Sequence, residues 1–229
     1  MIVYWSSDLD FCKNCLFDLQ SKRTSNSNPA NFLSCPAVRS SWQNVWMFGA
    51  NNNLVVEYDI ASAKELNSRP VEISREPHLE STNIFNLLKA SYFFSKQPLR
   101  MKITAPYFHD VEYQKYGTFV GGVFDIGRWY RPIQTEIITW KESGIIKFRE
   151  GDPMFYAEFL TEEKVTLVRY HHTELLGYLS QALINSPFQT PKNFQGNLDS
   201  RYEAFDRSDY RAAILEEIQA NLISNDSNY

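Results

Sequence analysis

Apolar and polar positions alternate most clearly between Tyr116 and Thr173, and the stretch predicts several consecutive β-strands. Within residues 154–160, Phe155, Ala157 and Phe159 fall on one face and Met154, Tyr156 and Glu158 on the other, as in a half-buried strand. Val165, Leu167 and Arg169 then alternate with Thr166, Val168 and Tyr170, and the TEEK segment between the two runs reads as a hairpin connection. Leu99, Met101 and Ile103 share a face in a further strand over 99–105.

Before this region the pattern is mixed. Residues 1–5 form a short apolar opening strand, and the spacing of Leu9, Phe11, Cys12, Cys15, Leu16 and Leu19 suits a short helix. Residues 20–31 are polar and contain Pro29, which predicts an exposed loop. Residues 42–48 and 53–60 are strand candidates separated by turn-forming residues and predict an antiparallel pair. Residues 81–94 carry Ile84, Leu87 and Leu88 at helical spacing and predict a helix or a loop, although the Tyr92-Phe93-Phe94 end could instead be strand. After Thr173 the period becomes helical: Leu175, Leu176, Leu179, Leu183 and Ile184 form one stripe, and Ile214, Leu215, Ile218 and Leu222 form another, with a loop over 186–197.

These elements predict a single α+β domain over residues 1–229, a mostly antiparallel, aromatic-rich β-sheet or sandwich with C-terminal helices. Its parts are N-terminal strands and a cysteine-containing helix over 1–60, a central β region over 99–173 and a helical region over 174–229. Sixteen Phe, thirteen Tyr and five Trp exceed what one core requires, so some aromatic surface is expected to form a groove or interface. The net charge of −4 disfavours a generally basic nucleic-acid binder. No apolar run has the length of a membrane span, and an odd cysteine count with no secretory leader predicts a soluble, cytoplasmic protein.

Four clusters carry candidate chemistry. Cys12, Cys15 and Cys35 could supply thiolates to zinc if a histidine joined them, although a lone C-x-x-C is also what small core residues of a helix look like. His78 and Glu80 have the H-x-E spacing that, with His171 or His172, would make the 2-His-1-carboxylate set of a non-haem iron oxygenase. Adjacent strand residues point apart, however, so one of His171 and His172 is expected to be buried and hydrogen-bonded and the other exposed. His109 with Asp110 and Glu112 could act as a general base, but no nucleophile is marked beside it. The fourth cluster is Arg128, Trp129, Tyr130 and Arg131 before Pro132, where two arginines among aromatics could stack on a partner's side chain. The plainer expectation is an amphipathic edge strand with its arginines paired to Asp125 and Glu136 and with Trp129 and Arg131 facing away from Arg128 and Tyr130. No nucleophile elbow, phosphate-binding glycine loop or dinucleotide fingerprint is present.

The aromatic opening strand with its Cys12 pair, the CPAVRSSWQNVW segment and the FREGDPMFYAEFLTEEKVTL segment resemble a group of proteins encoded by tailed bacteriophages, particularly those of cyanobacteria. The group has no assigned activity, so the resemblance implies a viral origin and transfers no site. The leading expectation is a non-enzymatic phage accessory or protein-interaction protein that needs no cofactor and uses the surface at Arg128, Trp129, Tyr130 and Arg131. The alternatives are a metal-dependent oxygenase, with iron or zinc as the metal, and a virion structural component.

Overall fold

Burial on one or both sides of each strand decides how the alternating runs assemble. The computed structural model describes residues 1–7, 16–18, 35–50, 53–59, 64–65, 72–75, 83–184 and 198–223. Its strands are β1 (Ile2–Ser7), β2 (Leu16–Asp18), β3 (Val45–Gly49), β4 (Leu54–Asp59), β5 (Lys64–Glu65), β6 (Glu72–Arg75) and β7 (Asn83–Ser95). They continue with β8 (Arg100–Thr104), β9 (Gly117–Phe119), β10 (Gly122–Asp125), β11 (Pro132–Thr139), β12 (Ser143–Phe148), β13 (Pro153–Phe159) and β14 (Thr166–Arg169). The helices are α1 (Pro36–Ser40), α2 (Glu174–Ile184), α3 (Leu198–Asp206) and α4 (Tyr210–Ala220). None of the described helices is long and apolar enough to cross a membrane.

The fold is α+β, with mostly antiparallel sheets. One sheet has the order β14-β1-β7-β11-β9, with β6 also paired to β7; a second has the order β10-β8-β13-β3-β2; a third is β12-β4-β5. The first two pack face to face through rings. Trp5 meets Phe48 edge-on at 6.2 Å, Phe48 meets Phe93 at 5.3 Å, and Phe93 meets Phe159 at 6.2 Å. Such edge-to-face pairs add to the hydrophobic gain of burial. The third sheet adds Val56, Tyr58, Ile146 and Phe148 to the same core.

The other face of the first sheet carries the helices. Tyr92, Phe94, Tyr130 and Tyr170 pack there with Leu176 and Leu179 of α2, Phe205 of α3, and Ile214 and Ile218 of α4. Strand β1 shows why both faces are apolar, since Val3 and Trp5 join the sandwich core while Tyr4 packs against the helical layer. Thr173 caps α2 by accepting the Leu176 amide at 3.2 Å on its hydroxyl and donates to Glu217 of α4 at 2.7 Å. The far end of α4 is stitched to the end of β14: the His171 amide donates to Asn221, and Ile223 donates to Arg169, each at 3.0 Å.

Strands β8 and β13, and helices α2 and α4, lie where the hydrophobic periods place them. Four expectations require correction. Residues 83–95 form a long central strand instead of a helix or loop; Tyr92, Phe93 and Phe94 are all buried because sheet and helices cover both faces, which removes the alternation that marks a strand. Strands β3 and β4 do not pair with each other, because β3 lies between β13 and β2 whereas β4 lies between β12 and β5. Leu16–Asp18, at the end of the expected cysteine-bearing helix, is strand, while Cys12 and Cys15 fall outside the described residues. The TEEK segment is a crossover and not a hairpin: β13 stays in the second sheet, and β14 pairs parallel with β1 in the first.

Asn44 holds that crossover. Its side-chain nitrogen donates to the carbonyls of Thr161 at 2.9 Å and Glu163 at 2.8 Å, and its side-chain oxygen accepts from the buried Val165 amide at 3.0 Å. Its backbone adopts φ of 56°, a left-handed conformation that asparagine tolerates better than most residues. A side chain well over one hundred residues away in sequence thus sets where β14 begins.

Candidate functional site

The segment Arg128–Arg131 leaves the end of β10 through a turn at Ile126 and Gly127. Two bonds to neighbouring backbone fix the turn: the Ile126 amide donates to Leu99 at 2.9 Å and the Ser95 amide to Ile126 at 3.2 Å. A Cβ on Gly127 would lie 2.0 Å from the Gln97 carbonyl oxygen, so the close approach of the two chains requires glycine there. The Asp125 carboxylate accepts the Leu99 amide at 3.2 Å and the Gly127 amide at 3.1 Å. That carboxylate holds the turn and forms no ion pair with either arginine, contrary to the pairing expected from sequence.

Arg128 instead reaches α3. Its Nε donates to Asp206 at 2.8 Å, a terminal nitrogen lies 2.7 Å from the same oxygen, and Arg211 of α4 takes the other oxygen at 2.8 Å. Two guanidinium groups therefore share one carboxylate and tie both helices to the loop. Tyr130 turns the other way and is fully buried in the helical layer, so it contributes no surface, which corrects its placement among the interaction residues. Trp129 and Arg131 line a recess together with Phe93, Phe124, Asp125 and Tyr202. The expected alternation survives at these three residues, although the segment precedes the strand instead of forming part of it.

The recess has a volume of about 80 Å³, room for a few waters or one small group. The Arg131 guanidinium sits 4.7 Å from the centre of the Phe124 ring and 5.2 Å from that of Trp129. Arg201 of α3 approaches the Trp129 ring at 5.2 Å as well. Among the described residues neither Arg131 nor Arg201 forms an ion pair, and Nε of Arg131 and Nε1 of Trp129 are buried without a hydrogen-bond partner. Burial, with Arg201 close by, pushes the Arg131 pKa down, partly opposed by Tyr202 and Glu136. Nothing in the periodicity brings α3 to this place; its Arg201 and Tyr202 lie about seventy residues further along the chain and repeat the arginine–aromatic pairing of Arg128–Trp129.

The two histidines lie on the opposite side of Tyr130. His172 Nδ1 and the Tyr170 hydroxyl each lie 2.9 Å from the Tyr130 hydroxyl, and the His172 ring stacks on Tyr92 at 4.0 Å. Burial lowers the His172 pKa. His171 is exposed and His172 is hydrogen-bonded but only half-buried, so the expected division between the pair holds in part. Both nevertheless line one polar cavity of about 210 Å³ with Ser6, Ser7, Arg169 and Tyr170, because residues 171–173 lie beyond β14, where strict strand alternation no longer applies. His78 and Glu80, the other members of the expected metal set, fall outside the described residues, as do Cys12 and Cys15; Cys35 is exposed. Among the described residues no three His, Cys, Asp or Glu side chains converge as metal ligands. His109 is engaged with the Tyr156 hydroxyl beneath the exposed Tyr107 and Phe108, and Asp110 and Glu112 point into solvent.

No family model, curated protein or solved structure matches this chain. The chemistry of the recess and the cavity therefore stands on geometry alone.

Proposed function

We propose that this chain is a non-enzymatic interaction protein, and that the recess at Trp129 and Arg131 receives a carboxylate carried beside an apolar side chain of a protein partner. The observation that supports this reading is the half-buried Arg131 guanidinium between two aromatic rings, which has no ion pair among the described residues and whose Nε is buried without a hydrogen-bond partner. A buried cation without a counter-ion is costly, and the cost is removed when an anion arrives to pair with it. Apart from Asp125, which is held by backbone amides, and the Tyr202 hydroxyl, the described lining residues are apolar, aromatic or cationic, so an acidic group flanked by an apolar one is complementary to them. A guanidinium oriented by stacking also presents its N–H edge to a carboxylate with little further loss of freedom. The resemblance to tailed-phage proteins supports an accessory role during infection.

The Trp129 indole N–H provides the readout. Its nuclear magnetic resonance signal, assigned by loss in Trp129→Phe, is expected to shift when a short peptide with a glutamate next to a phenylalanine is added, and to shift far less with the glutamine analogue. Arg131→Met is expected to weaken binding about tenfold or more, the usual loss for a charge-assisted hydrogen bond. A Trp129 signal indifferent to the acidic peptide, or equal binding by Arg131→Met, would sink the proposal.

A further inference from the structure

The polar cavity at the ends of β1 and β14 differs in chemistry from the recess. None of the described residues that line it is acidic, and Arg169, His171, His172, Ser6, Ser7 and Tyr170 all border it. Arg169 forms no ion pair among the described residues, and its guanidinium is steadied 5.4 Å from the centre of the Trp5 ring. We propose that this cavity is a binding site for a small phosphate-class oxyanion, with Arg169 as the fixed cation and Ser6, Ser7 and His171 as further donors.

The walls are set before any ligand arrives. The Tyr170 amide donates to Trp5 at 3.1 Å and the His171 amide to Asn221 at 3.0 Å, so the backbone on both sides of the cavity is already committed to β1 and α4. His172 and Tyr170 are held through the Tyr130 hydroxyl. Preorganised donors of this kind lose little freedom on binding, which favours a compact ligand. A volume of about 210 Å³ is generous for a carboxylate and suits a tetrahedral anion with several acceptor oxygens, each reached by a different donor. A guanidinium meets two such oxygens at once, which an ammonium cannot do. The same chemistry describes inorganic phosphate and the head of a phosphate monoester.

Calorimetric titration of the full chain with inorganic phosphate, and separately with glycerol phosphate, at constant ionic strength tests the site. Saturable binding of inorganic phosphate with no gain for the ester identifies the free ion as ligand, and tighter binding of the ester identifies a monoester; either outcome supports the site if it depends on Arg169. Arg169→Gln is expected to weaken binding about tenfold or more, and Arg169→Lys by less. Arg169 also packs on Trp5, so Ser7→Ala and His171→Ala serve as variants that spare this contact, each expected to weaken binding a few-fold. Arg131→Met is expected to leave phosphate binding unchanged, which separates this site from the carboxylate recess. No saturable binding by the wild-type chain, or equal affinity in wild type, Arg169→Gln and Ser7→Ala, would overturn the proposal.

Discussion

Arg131→Met tests whether the Arg131 guanidinium serves binding or holds the fold together, because the two roles predict opposite changes in stability. Methionine keeps an unbranched stem in the recess and removes the charge. Two cation–π contacts are lost, to Phe124 at 4.7 Å and to Trp129 at 5.2 Å, each worth about 0.5–1 kcal/mol in a partly exposed setting. Against that loss stands relief of the unpartnered Nε, about 1–3 kcal/mol, together with the desolvation of an unpaired cation. The balance favours a variant as stable as the wild type or about 1 kcal/mol more stable. Urea unfolding with an unchanged m-value measures it, and Arg128→Met provides the contrast. That substitution breaks the contact of two Arg128 nitrogens with one Asp206 oxygen and leaves Arg211 alone on the carboxylate, for an expected loss of about 1 kcal/mol. A loss of about 2 kcal/mol or more in Arg131→Met would show that the guanidinium is structural, and the assignment of the recess to a partner would lose its main support.

Two further outcomes concern the frame around the sites. Asn44→Gly removes three hydrogen bonds and leaves the buried Val165 amide without a partner, for a loss of about 2–4 kcal/mol in urea unfolding, and Asn44→Ala is expected to lose about 1 kcal/mol more because its backbone stays at φ of 56°; equal stability of all three chains would refute the crossover clamp. The second outcome is a pH profile with two flanks. Burial raises the Tyr156 pKa from 10.0 to about 12 and raises that of Tyr113 further, so their contribution is complete below pH 10 and lost as pH climbs toward 12. Burial lowers the His172 pKa from 6.5, so its contribution is complete above that value and lost as pH falls through the folded-state pKa. His172→Gln should flatten the acid flank and Tyr156→Phe the alkaline one, and unfolding free energies measured across pH would contradict the assignment if both slopes persisted.

Local pattern identifies an element when one environment lies on each side of it. Val165 and Leu167 read correctly against Thr166 and Val168 because the sandwich core lies on one side and the helical layer or solvent on the other. The same rule fails at Tyr92, Phe93 and Phe94, where both sides are apolar and the run looks like any buried segment. Pairing is harder to read than strand identity. The TEEK segment has the length of a hairpin, and its role as a crossover depends on Asn44, whose side chain bonds residues 117–121 positions away. Sequence composition likewise singled out Arg128–Arg131, but the Asp206 that anchors Arg128 lies 78 residues on, and that separation leaves no local signal.

Alternation at residues 129–131 has a consequence for both sites. Trp129 and Arg131 enter a largely apolar recess where Arg131 has no ion pair among the described residues, while Tyr130 between them faces a network of His172 and Tyr170 in the helical layer. One short segment thus forms a wall of the recess and, through a single hydroxyl, the support of the polar cavity. The period of two that made 116–173 readable as strands here separates two chemistries: a cationic aromatic slot on one side of the chain and a cavity lined by serine, histidine, tyrosine and arginine on the other. The recess and the cavity share no described lining residue, which is why exchanging Arg131 for Met and Arg169 for Gln should silence the two proposed sites independently.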